Sequence, residues 1–226
     1  MMSSQPTQNY DSSLDQVLHK RSDLHLLRKL WHISTGSAVM WVYLQTDGDK
    51  TYYGKLILAL AVAGFALDMI RKRVPKLNYV VIKAMGPLMR RSEREGVSGL
   101  PYYALGCSLA LFLYQRDLGI MAMLFLIFGD PFSSFFGVLY GKDRILPNKS
   151  LQGAVAGFFT CYLISLIYLM NTTTLSVQMI TFSIIAGLIG SLSELCSTFN
   201  VDDNLTIPVL SGLGLTVLNY FIPMFS

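Results

Sequence analysis

Long apolar runs separated by short polar connections make up most of the chain beyond residue 25. A helix needs about 20 mostly apolar residues to cross the hydrocarbon core of a bilayer. Runs that meet or approach this length predict seven spanning helices, at approximately 30–46, 53–70, 99–115, 118–140, 151–170, 175–197 and 205–225. We therefore predict an all-α fold, a polytopic transmembrane helix bundle of about seven spans.

Two segments depart from this pattern. Residues 74–91 mix apolar and basic side chains, which favours a helix lying at the membrane surface over another span. Residues 1–25 are polar and contain no apolar core, so we expect a polar N-terminal tail and no cleavable signal peptide. The rest, 26–226, is predicted to form a single transmembrane domain. The composition agrees, because only 14% of the residues are charged, against about 25% in soluble domains.

The basic residues alternate in density from one predicted connection to the next. All but Lys50, Lys55 and Arg116 of the 18 Lys and Arg residues lie before the first span, between the second and third, or between the fourth and fifth. Cytoplasmic connections of membrane proteins are enriched in Lys and Arg. The N-terminus is therefore predicted to be cytoplasmic, and no nucleic-acid partner is expected. A bacterial inner membrane and an endoplasmic reticulum membrane both remain open.

Asp130 lies well inside the fourth apolar run, where an ionisable group is costly unless it is functional or paired. Gly129 and Pro131 flank it, and this pair is expected to interrupt the helix and free backbone groups to face a polar cavity. Asp130 is interpreted as a carboxylate that handles metal or phosphate, and the alternative is a structural partner for a buried cation.

Glu194 is the second acidic residue inside an apolar run. Small and polar residues recur around it at three- and four-residue steps, which puts them on one helical face; they are Gly187, Gly190, Ser191, Ser197 and Thr198. Such a stripe either packs tightly against another helix or lines a cavity. The carboxylate favours the cavity.

Asp202, Asp203 and Asn204 stand together immediately before the last apolar run. Mg²⁺ prefers carboxylate oxygens, water and substrate phosphates as ligands. We interpret this triplet as a magnesium site, and the alternative is an ordinary helix cap. By the predicted topology, it faces the cytoplasm, as Asp130 and its neighbours do.

Several basic and small residues on the same side are candidates for binding phosphate. Lys149 and Ser150 precede a predicted helix, whose N-terminus attracts anions, and Lys142 adds charge nearby. Lys29 and His32 share one face of the first helix. Gly137 and Gly141 also share a face, which allows either close packing of helices or close approach of the backbone to phosphates.

The combination of these motifs resembles the group of polytopic membrane enzymes that contains dolichol kinase, phytol kinase and CTP-dependent diacylglycerol kinase. The matching stretches are "LRKLWH" at 27–32, "GDPFSSFFGVLYGKD" at 129–143, "NKSLQG" at 148–153 and "DDNLTIPVLSG" at 202–212. The resemblance implies that the transmembrane domain is catalytic and transfers a phosphoryl group from CTP to a membrane lipid alcohol, with Mg²⁺.

The resemblance also implies roles for the candidate residues. Catalytic roles fall to Asp130, Glu194 and Asp203. Metal binding falls to Asp202, Asp203 and Asn204. Binding of nucleotide or phosphate falls to Lys29, His32, Gly129, Gly137, Gly141, Lys142, Lys149 and Ser150. Which carboxylate acts as the base, and which lipid alcohol is the acceptor, stay open.

Two alternatives are compatible with the same sequence. CTP:phosphatidate cytidylyltransferases share the Gly-Asp and Lys-Ser arrangement, but their long C-terminal signature rich in Lys, Asp, His and Gly is not found here. A transporter or lipid-binding protein without enzymatic activity would also carry polar groups among its spans. The polar residues of this chain cluster on one side, however, and no inverted repeat is seen.

Overall fold

A computed structural model describes residues 26–45, 49–90, 93–94, 96–172, 174–197 and 201–225. The predicted polar tail at 1–25 lies outside the described residues.

In the described part, the chain is helical apart from short connections and one small hairpin. The α-helices are α1 (Leu26–Gln45), α2 (Lys50–Arg73), α3 (Pro75–Met85), α4 (Gly99–Leu113), α5 (Arg116–Leu124), α6 (Asp130–Tyr140), α7 (Leu151–Thr172), α8 (Val177–Cys196) and α9 (Asp203–Phe221). A 3₁₀ turn (Gly86–Leu88) follows α3, and a π-helical turn (Phe125–Gly129) joins α5 to α6. The predicted all-α class is therefore confirmed.

Five of these helical segments are long and apolar enough to cross a membrane: Lys50–Arg73, Arg116–Tyr140, Leu151–Thr172, Val177–Cys196 and Asp203–Phe221. The other two predicted spans also coincide with helices. The helix Gly99–Leu113 has only 15 residues, about 22 Å at 1.5 Å per residue, against a hydrocarbon core of about 30 Å. The helix Leu26–Gln45 carries Arg28, Lys29 and His32 in its first half. The structure thus supports at least five spans by length and composition.

The segment from α5 to α6 lies at the centre of the bundle. Most residues of α5 and the π turn are buried whichever way they face, including Leu118, Met121 and Leu126. A helix that is apolar all round is a buried helix. The helices α7, α8 and α9 pack beside it, and α2 packs on α4. Asp130 is the first residue of α6 and follows directly after this buried segment.

The predicted interruption at Gly129 and Pro131 is a π turn, and the helix does not break. Arg116–Tyr140 continues as one helical segment through Phe125–Gly129. Pro131 has no N–H to donate back into the π turn, and a carbonyl oxygen of that turn, Leu126, instead lies 3.1 Å from the His32 Nε2 atom. A π turn shifts the hydrogen-bond pattern by one residue and occurs often at functional sites.

The small-residue face of α8 packs tightly against α7. A Cβ atom on Gly190 would lie 2.6 Å from the Cys161 Sγ atom, and one on Gly187 would lie 3.0 Å from the Phe158 carbonyl oxygen. The Ser191 hydroxyl donates to the Ala154 carbonyl oxygen at 2.8 Å. This part of the stripe is therefore a packing surface, and the expectation that the stripe lines a cavity is wrong for these three residues.

Replacing Gly190 by alanine is expected to lower stability, because the new methyl group overlaps atoms of α7. We expect a loss of roughly 1–3 kcal/mol, measured as a lower thermal midpoint in detergent. Gly86→Ala is the matched control, since a Cβ atom there comes no closer than 3.5 Å to a neighbour. Equal midpoints for the two variants would contradict the packing described for α7 and α8.

Candidate active site

A polar cavity of about 440 Å³ lies at one end of the bundle, where several elements end. The start of α1 contributes Arg28, Lys29 and His32. The other charged lining residues are Arg90, Asp130, Lys149, Asp202 and Asp203, with Ser134, Asn148 and Asn204 among the uncharged polar ones. Cations and carboxylates thus converge from segments that are far apart in the sequence.

The side chains of Asp130 and Lys29 line this cavity, and neither has a hydrogen-bond partner among the described residues. The Asp130 backbone N–H donates to the Phe125 carbonyl oxygen, but its carboxylate makes no hydrogen bond or ion pair with any described residue. The Lys29 Nζ atom is buried and has no hydrogen-bond partner; it stands 5.8 Å from the centre of the Phe135 ring. Buried charges are normally paired. Both groups are therefore available to a bound polar ligand, Lys29 to an anion and Asp130 to a proton donor or a cation.

His32 is held by the π turn. Its Nε2 atom lies 3.1 Å from the Leu126 carbonyl oxygen, which can only accept, so Nε2 carries the hydrogen. The Tyr103 ring packs edge-on against the imidazole, with 4.6 Å between the centres. These contacts fix the ring, and the Nδ1 atom remains the one available to a ligand.

The start of α9 presents two carboxylates with different partners. Asp202 caps the helix, because its Oδ1 atom accepts from the Asn204 backbone N–H at 3.0 Å and from the Asn204 side-chain amide at 2.7 Å. Asp203 forms an ion pair with Arg90 at 2.9 Å. Burial, and then the charge of Asp203, raises the pKa of Asp202 to about 6. Asp202 is therefore mostly ionised at pH 7.

The helix-cap alternative thus applies to Asp202, and it does not exclude metal binding. Asp130, Asp202 and Asp203 line one cavity, which gives a donor set of hard oxygen atoms. The described residues hold no cluster of three or more His, Cys, Asp or Glu side chains that would form a complete metal site. Mg²⁺ bound at this cavity would therefore need water and ligand phosphates to complete its coordination beside the carboxylates. The predicted ligand Asn204 is buried, and its amide is used to orient Asp202.

Glu194 is paired with Lys149. The Lys149 ammonium donates to the Glu194 carboxylate, which is buried. Glu194 does not line the main cavity; it borders a smaller cavity of about 90 Å³, which it shares with Lys149. The structure therefore places Glu194 behind Lys149, where it positions the ammonium group.

A two-stranded hairpin brings Lys149 to the cavity, and sequence reasoning missed it. The strand β1 (Arg144–Leu146) pairs antiparallel with β2 (Lys149–Ser150). Residues of the hairpin region also accept hydrogen bonds from the first backbone N–H groups of α7. The Leu151 N–H donates to the Asp143 carbonyl oxygen at 2.8 Å, and the Gly153 N–H donates to the Ser150 hydroxyl at 3.2 Å. Less of this helix N-terminus is free for an anion than the sequence suggested.

The predicted glycine positions serve close packing. A Cβ atom on Gly137 would lie 3.1 Å from the Ser150 hydroxyl and 3.5 Å from the Gly153 Cα atom. One on Gly141 would lie 2.6 Å from the same hydroxyl, and one on Gly129 would lie 2.8 Å from Cys161 Sγ. Of the predicted phosphate-binding residues, Lys142 is exposed and lines none of the cavities described here.

The structure thus divides the predicted site residues into two groups. Lys29, His32, Asp130, Lys149, Asp202, Asp203 and Asn204 meet in the polar cavity. Gly129, Gly137, Gly141, Lys142, Ser150 and Glu194 do not line it. The sequence prediction missed Arg90, which sits in a connection with many basic residues and carries no distinguishing signal.

The fold is that of an integral membrane protein, with a cavity at one end that is lined by charged side chains. The model of the cytidylyltransferase family matches residues 22–199, and the chain belongs to this family.

Curated relatives place it more closely within that family. The chain is 31% identical over 207 residues to CTP-dependent diacylglycerol kinase 1 of Saccharomyces cerevisiae, covering 82% of this chain and 70% of the relative. It is 32% identical over 199 residues to the protein of the same name from Schizosaccharomyces pombe, covering 82% and 89%. The resemblance to CTP-dependent lipid kinases is thereby confirmed. No solved structure matches the chain significantly.

Proposed function

We propose that this protein is a CTP-dependent kinase that phosphorylates diacylglycerol at the polar cavity. The observation that carries the proposal is that a carboxylate, Asp130, and a buried ammonium, Lys29, line one cavity, and that neither has a hydrogen-bond partner among the described residues. The names of the relatives support CTP as donor and diacylglycerol as acceptor. Phosphoryl transfer depends mainly on positioning and on neutralising charge, and this cavity is built for both.

In the proposed reaction, the lipid hydroxyl oxygen attacks the γ-phosphorus atom of CTP. A new P–O bond forms to the lipid, the bond from the γ-phosphorus to the bridging oxygen breaks, and CDP leaves. The hydroxyl proton passes to a carboxylate, for which Asp130 is the candidate because it has no other partner. The products are CDP and phosphatidic acid.

The cations of the cavity bind the phosphates in this proposal. Lys29 and Lys149 provide ammonium donors, and Arg28 and Arg90 add guanidinium groups. Asp202 and Asp203 would hold Mg²⁺, which offsets the negative charge of the nucleotide phosphates. Glu194 orients Lys149, so we assign it a positioning role and favour Asp130 as the base.

The proposal extends to membrane topology. We infer seven spans with a cytoplasmic N-terminus and the cavity on the cytoplasmic side, where CTP is available. The distribution of Lys and Arg supports this orientation. The buried residues form one cluster that includes members of α1 and α9, which supports a single catalytic domain over 26–226.

Lys29→Met is expected to raise the KM for CTP. Loss of a hydrogen bond to a charged group costs about 1.5–3 kcal/mol, which corresponds to roughly 10- to 100-fold. Steady-state kinetics with varied CTP measures the effect. Lys142→Met is the comparison, because its exposed side chain lies outside the cavity. An equal rise in KM for both variants would contradict the assignment of the phosphate site to this cavity.

Because the matching family is named for cytidylyltransferases, cytidylyl transfer is the second activity to test. In that reaction, a phosphate oxygen of phosphatidic acid would attack the α-phosphorus atom of CTP, and pyrophosphate would leave.

The lipid acceptor is tested with γ-labelled CTP. The purified full chain in detergent, given γ-labelled CTP and diacylglycerol, is expected to form labelled phosphatidic acid. Matched reactions with phytol and a polyprenol test the acceptor. Failure to label diacylglycerol, with label entering one of the other alcohols, would overturn the proposed substrate and leave the kinase chemistry intact.

A further inference from the structure

Two further cavities lie along α1, and the first of them adjoins the polar cavity. A cavity of about 130 Å³ shares Arg28, His32 and Asn204 with the polar cavity. A cavity of about 270 Å³ shares Trp31, Thr35, Leu100 and Tyr103 with the smaller one. Because each shares lining residues with the next, the three form one series from the polar end of the bundle toward its apolar middle.

The chemistry changes along this series. The end next to the polar cavity carries charged side chains, whereas the far end is lined almost entirely by apolar ones. The floor of the 270 Å³ cavity is buried, with Met40, Leu111 and Ile127 at most 6% exposed. Its rim is open, since Val39 is 52% exposed and Leu60 is 62% exposed. In a membrane, this rim faces lipid, so the groove opens sideways to the bilayer.

The packing of α1 explains why the groove exists. The helix packs mainly on the π turn, on Gly86–Leu88 and on α6, and a gap remains between α1 and the pair α2 and α4. The groove lies in that gap and takes lining residues from all three helices.

Tyr103 lines both of these further cavities, and its hydroxyl lies where they meet. The hydroxyl is buried and has no hydrogen-bond partner among the described residues. Gly36 leaves room for it, because a Cβ atom at that position would overlap the hydroxyl. Buried hydroxyl groups are normally hydrogen-bonded. A hydroxyl left without a partner beside a groove is therefore a donor available to a ligand.

We propose that the groove between α1, α2 and α4 binds the hydrocarbon chain of the acceptor lipid, and that the Tyr103 hydroxyl donates to an ester carbonyl oxygen of that lipid. This inference rests on the proposed kinase function. A lipid seated in this way directs its free hydroxyl past His32 into the polar cavity. Phytol and polyprenols have no ester carbonyl, so Tyr103 would select glycerolipids over isoprenoid alcohols.

Photolabelling tests the groove without requiring activity. The full-length protein in detergent is mixed with a diacylglycerol that carries a diazirine near the end of one acyl chain, illuminated without nucleotide, and mapped by mass spectrometry. We expect labelled residues in α1, α2 and α4, such as Val39 and Leu60, and loss of label when unlabelled diacylglycerol competes. Label confined to other faces, such as α7, or label that resists competition, would overturn the inference even if the protein is an active kinase.

Tyr103→Phe tests the hydroxyl. The hydroxyl bonds no described residue, so the variant is expected to keep its thermal midpoint. We expect the KM for diacylglycerol to rise about 10-fold, with the KM for CTP and any activity toward phytol unchanged. Tyr102→Phe, the neighbour whose ring packs on Phe65, is the control and should match the wild type. No change in Tyr103→Phe, or equal loss toward both alcohols, would contradict the assigned role. Inactivity of the wild type toward every alcohol would instead refute the proposed function, and the photolabelling result would still decide whether the groove binds lipid.

Discussion

Asp130→Asn is expected to lower the turnover of diacylglycerol phosphorylation by about 100-fold or more, the size of effect that a general base contributes. The amide keeps the size of the side chain and removes its ability to take a proton or to bind a cation strongly. The Asp130 carboxylate has no hydrogen bond or ion pair with any described residue, so the change is not expected to destabilise the protein. Rates at saturating CTP and lipid, together with the thermal midpoint, measure the two effects separately.

Two matched variants show whether this loss is specific to Asp130. Asp49→Asn changes a carboxylate that caps α2, where its side chain accepts from the Thr51 N–H. Asparagine caps helices equally well, so activity and stability should stay near those of the wild type. Glu194→Gln should lower turnover less than Asp130→Asn does, because Glu194 acts through Lys149. Near-normal turnover in Asp130→Asn would eliminate it as the base, and a larger loss in Glu194→Gln would shift that role to Glu194.

Arg71→Met is expected to cause a large loss of stability. Arg71 is 1% exposed, and its guanidinium donates to the carboxylate of Asp68 at 2.6 Å. It also donates to the Asn78 side chain and to carbonyl oxygens in the connection to α4. Removing it leaves a buried carboxylate without its cation, which costs about 3–5 kcal/mol. The thermal midpoint in detergent should fall by roughly 10 °C, at about 2–4 °C per kcal/mol for a chain of this size.

Arg73→Met is the control for this prediction, since it removes the same group from an exposed position two residues away. Its midpoint should stay within about 2 °C of the wild type. Arg71→Lys should also be less stable than the wild type, because a lysine ammonium cannot donate to all the acceptors that the planar arginine guanidinium reaches. A normal midpoint in Arg71→Met would show that this network contributes little to the fold.

The Arg71 network also extends to the polar cavity. The Arg71 guanidinium donates to the Glu93 carbonyl oxygen at 2.7 Å. The Glu93 carboxylate in turn forms an ion pair with Arg28 at 2.7 Å. Arg28 lines both the polar cavity and the first part of the groove. An ion pair buried in the protein thereby positions a cation that the proposed reaction uses.

The positions of the helices were predictable from the sequence because a helix that crosses a membrane requires a long run of apolar residues. Apolar runs located the seven helices to within a few residues, and the charges of a membrane protein collect at helix ends. The prediction failed where local geometry decided the outcome. Nothing in the run around Gly129 distinguishes a π turn from a break, and the apolar run at 99–115 does not reveal that its helix has only 15 residues.

The site was predictable in its residue types and only partly in its arrangement. The acidic residue in an apolar run predicted a site at Asp130, and the Asp-Asp-Asn triplet predicted one at Asp202 and Asp203; all three line the polar cavity. Sequence spacing cannot show which cation meets which carboxylate. Arg90 pairs with Asp203 across 113 positions, and Lys149 pairs with Glu194 across 45. These pairs depend on how α8, α9 and the hairpin meet, which is a property of the packed bundle.

The position of the transferred phosphorus tests the central claim most directly. Purified protein receives CTP labelled at either the α- or the γ-phosphate, with Mg²⁺, diacylglycerol and phosphatidic acid, and the lipid fraction is counted. A kinase places label in lipid only from the γ-position, in phosphatidic acid, and Asp130→Asn should abolish most of it. Label entering lipid only from the α-position would identify a cytidylyltransferase and contradict the proposed function.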